Sequence, residues 1–170
     1  MENCCAVERG GPLESECPRC GRRGRSVDEI TPKALLRPYA LERRQAEEHR
    51  FCATPDCPVV YFGDAEVFYR EDIVVPVFQK EPAGSRTVCY CFAETEGDIR
   101  REIEQTGRST AFDRITALVK MQRCACEVRN PQGSCCLGNV SSAIEEAIGR
   151  DAADPPKVRT AILDAFPSER

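Results

Sequence analysis

The sequence has no tryptophan, a single histidine and two methionines, and aromatic residues fill 6% of its 170 positions. A chain of this length makes one ordinary domain or two small ones, and so few large side chains leave little material for a simple hydrophobic core. With His49 as the one imidazole, a serine or cysteine nucleophile has no evident activating base. GxGxxG and P-loop patterns are also missing, so the expectation is a protein that is not an enzyme. The opening MENCCAVERGG carries two acids and no apolar run of signal-peptide length, and no later stretch approaches a membrane span. These features predict a cytoplasmic protein without membrane insertion. Positive charge in excess is lacking as well, with 24 Lys and Arg against 28 Asp and Glu and a net charge of -4. Nucleic-acid binders need clustered positive charge to replace phosphate counterions, so no nucleic-acid partner is expected. The local basic run Arg22, Arg23 and Arg25 reads as a solvated turn.

What the chain has in abundance is cysteine, with 12 thiols. In a reducing compartment, closely spaced cysteines point to metals or redox chemistry before disulfides; a secreted disulfide scaffold is the alternative. CPRC at 17–20 and CATPDC at 52–57 supply four thiolates in two close pairs, separated by 31 residues. Tetrahedral zinc in a structural site takes such a set, and four thiolates leave no open position for a substrate. Iron in the same S4 set, or free redox-active thiols, are the competing readings. His49, three residues before Cys52, reads as a surface histidine rather than a ligand.

Between residues 50 and 79, runs rich in Val, Phe and Tyr alternate with Pro, Gly and Asp, which predicts two or three short strands. EPAGS at 81–85 breaks that pattern. Beyond it, Thr95 caps a predicted helix with Asp98 at its third position, Ile99 and Ile103 on one face and Gly107 at its end. A second helix starts at Ser109 or Thr110, carries Phe112, Ile115, Leu118 and Val119, and runs to about Gln122. A third starts after Cys136, places Val140, Ile144, Ala147 and Ile148 on one face, and stops at Gly149. A last one follows Asp154 and Pro155 with Val158, Ile162 and Phe166 inward. The expected class is α+β, a small zinc-ribbon-like β unit followed by a helical 2Fe-2S-binding unit. Its divisions are a flexible N-terminus (1–14), the zinc-binding unit (15–84), the helical unit (85–150) and a C-terminal helix (151–170).

Cys89-Tyr90-Cys91 and the segment RCACEVRNPQGSCCLG flank the first two helices, so both cysteine loops can meet at one end of the helical hairpin. A four-thiolate 2Fe-2S cluster suits that placement, with helix N-termini facing its negative charge. In the order CPRCG, FCATPDCPVVYF, VCYCF, CEVRNPQGSCCLG, residues 15–148 resemble the N-terminal zinc and 2Fe-2S domain of CopZ-type copper metallochaperones, whose cluster fold is that of bacterioferritin-associated ferredoxin. The resemblance implies zinc on Cys17, Cys20, Cys52 and Cys57. It also implies a cluster on Cys89 and Cys91 with two cysteines of the NPxGxCC loop. Cys126, which precedes the NPQG turn, and Cys136, which precedes the third helix, are chosen; Cys124, with 32 residues between it and Cys91, and Cys135 remain alternatives. Members of the family carry a separate C-terminal heavy-metal domain with its own CxxC, and no CxxC follows residue 136 here.

Two functions follow. One is a metallochaperone for soft ions, copper or mercury, that reduces the ion with its cluster and hands it to a metal-transporting partner. The adjacent thiols Cys4 and Cys5 are candidates for capture, since soft thiolates select such ions; incidental thiols on a tail are the plainer reading. The other is a one-electron carrier for a redox partner. A zinc-ribbon regulator would need a basic recognition surface.

Overall fold

The computed structural model describes residues 16–153. The expected N-terminal segment with Cys4 and Cys5, and the C-terminal helix with Val158, Ile162 and Phe166, lie outside the described residues.

Four short strands make an antiparallel sheet in the order β1 (Arg25–Val27), β2 (His49–Phe51), β3 (Val59–Phe62), β4 (Val67–Tyr69). Three of these are the strands expected between residues 50 and 79. β1 and two short helices, α1 (Ile30–Leu35) and α2 (Pro38–Glu42), come from the segment linking the cysteine pairs, where no element was foreseen. Pro38 opens α2 at the first helical position, where its missing N–H costs nothing. β3 is buried at all four positions. Its register shifts between Val59 and Tyr61, so Val60 and Tyr61 join the core with Phe51, Phe68 and Ile73, while Val59 and Phe62 pack with the cysteines.

The second half begins with a hairpin, β5 (Thr87–Cys89) and β6 (Glu94–Thr95), then α3 (Glu96–Thr106), α4 (Ala111–Lys120), α5 (Cys126–Arg129) and α6 (Leu137–Ala153). Thr95 caps α3 as expected. Its hydroxyl accepts from the Asp98 amide at 3.1 Å, the Asp98 carboxylate accepts from the Thr95 amide at 3.2 Å, and Gly107 ends the helix in the left-handed region at φ 77°. Val88, Ile99, Ile103, Ala111, Ile115, Val140, Ala143 and Ala147 form one core.

Two helices depart from the expected faces. Phe112 is 40% exposed, because the buried stripe of α4 runs through Ala111 and Ile115. Ile148 is 52% exposed: α6 buries Val140 and Ala147 as expected, with Ala143 rather than Ile148 on the buried face. α6 also passes through Gly149 to Ala153; one glycine weakens a helix by about 1 kcal/mol and does not by itself end it.

The two halves touch through specific contacts. The buried Tyr61 hydroxyl donates to the Pro131 carbonyl at 2.7 Å, Arg25 to the Gln132 carbonyl at 2.9 Å, and Phe78 packs in the helical core. Gly133 sits at φ 63° in this seam. A Cβ there would stand 3.0 Å from the Thr31 hydroxyl and 3.2 Å from Val27, so the NPQG turn fits only with glycine.

Candidate metal centres

CPRC closes as a tight knuckle. The Cys17 amide donates to the Arg22 carbonyl and the Gly21 amide to the Cys17 carbonyl, both at 2.8 Å, with Gly21 at φ 66°. Cys52 and Cys57 flank a turn held by the Cys57 amide on the Thr54 carbonyl at 3.2 Å, and the Cys52 amide is bonded to Val60 of β3 at 2.9 Å. Together they place the sulfurs of Cys17, Cys20, Cys52 and Cys57 within 4.8 Å of one another. The Cys17 and Cys57 sulfurs are 3.8 Å apart, and those of Cys20 and Cys52 3.7 Å. A tetrahedron with ~2.3 Å zinc–sulfur bonds has edges of ~3.8 Å, so the donor set fits zinc.

Four thiols at this spacing cannot all ionise without a cation. Burial pushes the Cys17 thiol up to about 12 and that of Cys57 upward, whereas the Thr54 hydroxyl beside Cys20 draws its thiol down to about 6. One cation is already built in. Lys80 is buried, and its Nζ donates to the Thr54 and Cys57 carbonyls at 2.9 Å each. Burial pushes its ammonium down while the four thiols oppose that shift. Lys80 was not foreseen. Lysine is seldom fully buried, and nothing around it in the sequence marks it.

His49 differs from its expected surface position, since it is fully buried. The strand places it inward between Phe68, with ring centroids 5.6 Å apart, and Glu66, and it is not a member of the four-thiol group. Arg22, Arg23 and Arg25 are exposed as expected, and Arg25 also reaches the NPQG turn.

The second cysteine group is assembled from three elements. Cys89 ends β5 and Cys91 lies in the following turn, which is pinned by Tyr90: its hydroxyl donates to the Pro76 carbonyl at 2.7 Å and accepts from the Phe78 amide at 2.9 Å. Cys126 opens α5 and Cys136 directly precedes α6. Cys91 and Cys126 sulfurs are 3.8 Å apart, and the Ala125 amide donates to the Cys91 sulfur at 3.3 Å. A hydrogen bond to Cys136 holds the Cys89 thiol down at about 7, and that bond together with burial drives Cys136 upward. Burial likewise raises Cys126. Cys135 is exposed and Cys124 half-buried.

Comparison with known proteins gives the chain its place. The CopZ zinc binding domain family model matches residues 14–74. The X-ray structure of the Archaeoglobus fulgidus CopZ N-terminal domain superposes with a TM-score of 0.64 at 30% identity, covering 75% of this chain and 95% of that one. The chain belongs to the CopZ N-terminal domain family. The copper chaperone CopZ of Archaeoglobus fulgidus is 32% identical over 120 residues, 71% of this chain. The chain spans 57% of that CopZ, a little over half its length. Zinc binding is thus a property of the matched family, and the four-thiol group is the donor set that suits it. Among the described residues no helix is long and apolar enough to cross a membrane.

Proposed function

We propose that this chain is a metallochaperone-type protein for soft metal ions, copper or mercury, holding zinc on Cys17, Cys20, Cys52 and Cys57 and a 2Fe-2S cluster on Cys89, Cys91, Cys126 and Cys136. The observation that carries the reading is the contrast between the two cysteine groups. The first is a compact four-sulfur set suited to one ion. The second has Cys91 and Cys126 with sulfurs 3.8 Å apart, beside Cys89 at the end of β5 and Cys136 just before α6, and among the described residues no three sulfurs of this group lie within 4.8 Å of one another. Two thiolates on each of two metals is the demand of a 2Fe-2S cluster.

The protein's part is to hold and shield. Burial of Cys89, Cys126 and Cys136 keeps water from the donor set, and the Ala125 amide supplies a hydrogen bond to sulfur that steadies negative charge. The cluster, when bound, supplies a single electron, enough to take one Cu(II) to Cu(I). The copper chaperone named among the relatives supports copper as cargo and a metal-transporting protein as partner. In this reading the protein works in the cytoplasm, where thiols stay reduced, and acts as a carrier rather than an enzyme.

Metal and sulfide analysis with a visible spectrum, on protein purified without oxygen, tests the sites. One zinc, two irons and two sulfides per chain are expected. Adding Cu(II) to the dithionite-reduced, desalted protein should reoxidise the cluster and leave Cu(I) bound. Reoxidation only by a protein redox partner would favour the one-electron carrier. Zinc without iron would end the cluster reading and leave the second cysteine group as a site for the cargo.

A further inference from the structure

A second donor set of different chemistry lies on the sheet. His49 of β2 is the one histidine of the sequence and is fully buried. Its Nδ1 is 3.0 Å from the Glu47 carbonyl oxygen. A carbonyl only accepts, so Nδ1 carries a proton. Nε2 then faces Glu66 Oε1 at 3.2 Å and Glu47 Oε1 at 4.0 Å. These two carboxylate side chains are 17% exposed for Glu47 and 7% for Glu66, and among the described residues their one ion-pair partner is His49. If the ring is neutral, a lone pair points at two anions. If it is doubly protonated, two half-buried carboxylates still share one positive charge. Both states leave negative charge in excess at a half-buried site, offset only in part by backbone amide donors.

We propose that Glu47, His49 and Glu66 form a binding site for a divalent cation of the zinc class, with His49 Nε2 and one oxygen of each carboxylate as ligands. Nitrogen and oxygen donors ~2.0–2.1 Å from one tetrahedral ion lie ~3.4 Å apart, and the observed 3.2 and 4.0 Å bracket that spacing. All three donor atoms lie within 4.8 Å of one another. The Nδ1 hydrogen bond to a backbone carbonyl is the contact that fixes the tautomer of a metal-binding imidazole. Backbone groups aim the carboxylates too. The Gln45 amide donates to Glu66 Oε1 at 2.8 Å and the Ala65 amide to Glu47 Oε2 at 3.2 Å. Gly63 makes room, since a Cβ there would fall 2.4 Å from Glu47 Oε1. A surface hollow of about 370 Å³, bordered by Gly63, Asp64 and Glu66 and also by Glu16 and by Pro18 of the CPRC knuckle, offers an approach. Imidazole and carboxylate without thiolate suit Zn(II) and similar divalent ions, not Cu(I), so this site is chemically separate from the cysteine centres and does not rest on the proposed cargo.

The test uses tag-free, full-length protein with its cysteine centres already loaded, titrated with Zn(II). Because the chain has one histidine, a long-range proton–nitrogen spectrum reports His49 alone. The expected result is a shift of the Nε2 resonance to a metal-bound position, complete at one added zinc. One extra zinc should be retained after desalting, and lost from Glu66→Gln and from Glu47→Gln while the four-cysteine zinc stays. An Nε2 resonance that ignores zinc in the wild-type protein overturns the proposal and makes the group a buried His–Glu pair. Extra zinc retained equally by both folded variants overturns it as well. The wild-type spectrum decides even if one variant fails to fold.

Discussion

Lys80 shows what a single buried side chain adds to a metal centre. Its ammonium bridges the carbonyls of Thr54 and Cys57, in the loop that carries two of the four proposed zinc ligands. A zinc ion with four thiolates has a net charge of minus two, so a fixed positive charge nearby favours the loaded state. Lys80→Met keeps an unbranched side chain one atom shorter and removes the charge and both hydrogen bonds. The expected result is a loss of zinc affinity of about tenfold or more, read by competition with a chromophoric chelator. Unchanged affinity would mean that Lys80 only braces the loop. The cysteines could be picked out by spacing, because short-range pairing is written into the chain. Lys80 and the inward turn of His49 could not, because both depend on which segment folds over them.

At the level of elements, the strap holding α3 to the preceding loop is electrostatic. Glu96 accepts from the Gly84 amide at 2.5 Å and from Arg86 Nε at 2.7 Å, and Arg86 also reaches Glu146 at 2.6 Å. Burial pushes the Glu96 carboxyl up, but the Arg86 guanidinium and the two backbone amides outweigh it and hold it below the usual carboxylate range. A depressed carboxylate stabilises the fold above its unfolded value of about 4.3, and that contribution fades as the pH falls through the lower folded value. The stability difference between the wild type and Glu96→Gln should therefore be constant above about pH 5 and shrink on acidification, as measured by denaturant titration. A gap independent of pH would assign the strap to hydrogen bonds rather than charge. The helices themselves were readable from caps and periodicity: Thr95, Asp98 and Gly107 mark α3 by local chemistry alone. Faces were less so. Phe112 and Ile148 fit a helical stripe as well as Ala111 and Ala143 do, and the choice was made by the neighbouring helices. β1, α1 and α2 escaped notice because each is too short to show a period.

For the whole molecule, the question is how far the loss of one metal travels. The zinc-side sulfurs pack with Val59 and Phe62 as a small separate cluster, whereas α3, α4 and α6 share a larger apolar core. Removing zinc with a chelator should therefore expose the amides around Cys17 and Cys57 to hydrogen exchange first and leave the helical core protected. The seam lies between. Tyr61, Arg25 and Gly133 tie the sheet to the NPQG turn, so protection at Gln132 should fall next. Loss of all protection in one step would show a single cooperative body instead. The sequence by itself determined the cysteine pairs, the helix caps and the order of motifs, since these depend on neighbours a few residues apart. Only the tertiary structure decided the rest. It paired Cys91 with Cys126, left Cys135 outside, brought Lys80 beneath the four thiols and enclosed His49 between two carboxylates. Apart from Glu47, two residues from His49, the contacts among these join segments well separated in the chain, set by how the buried faces of sheet and helices fit together.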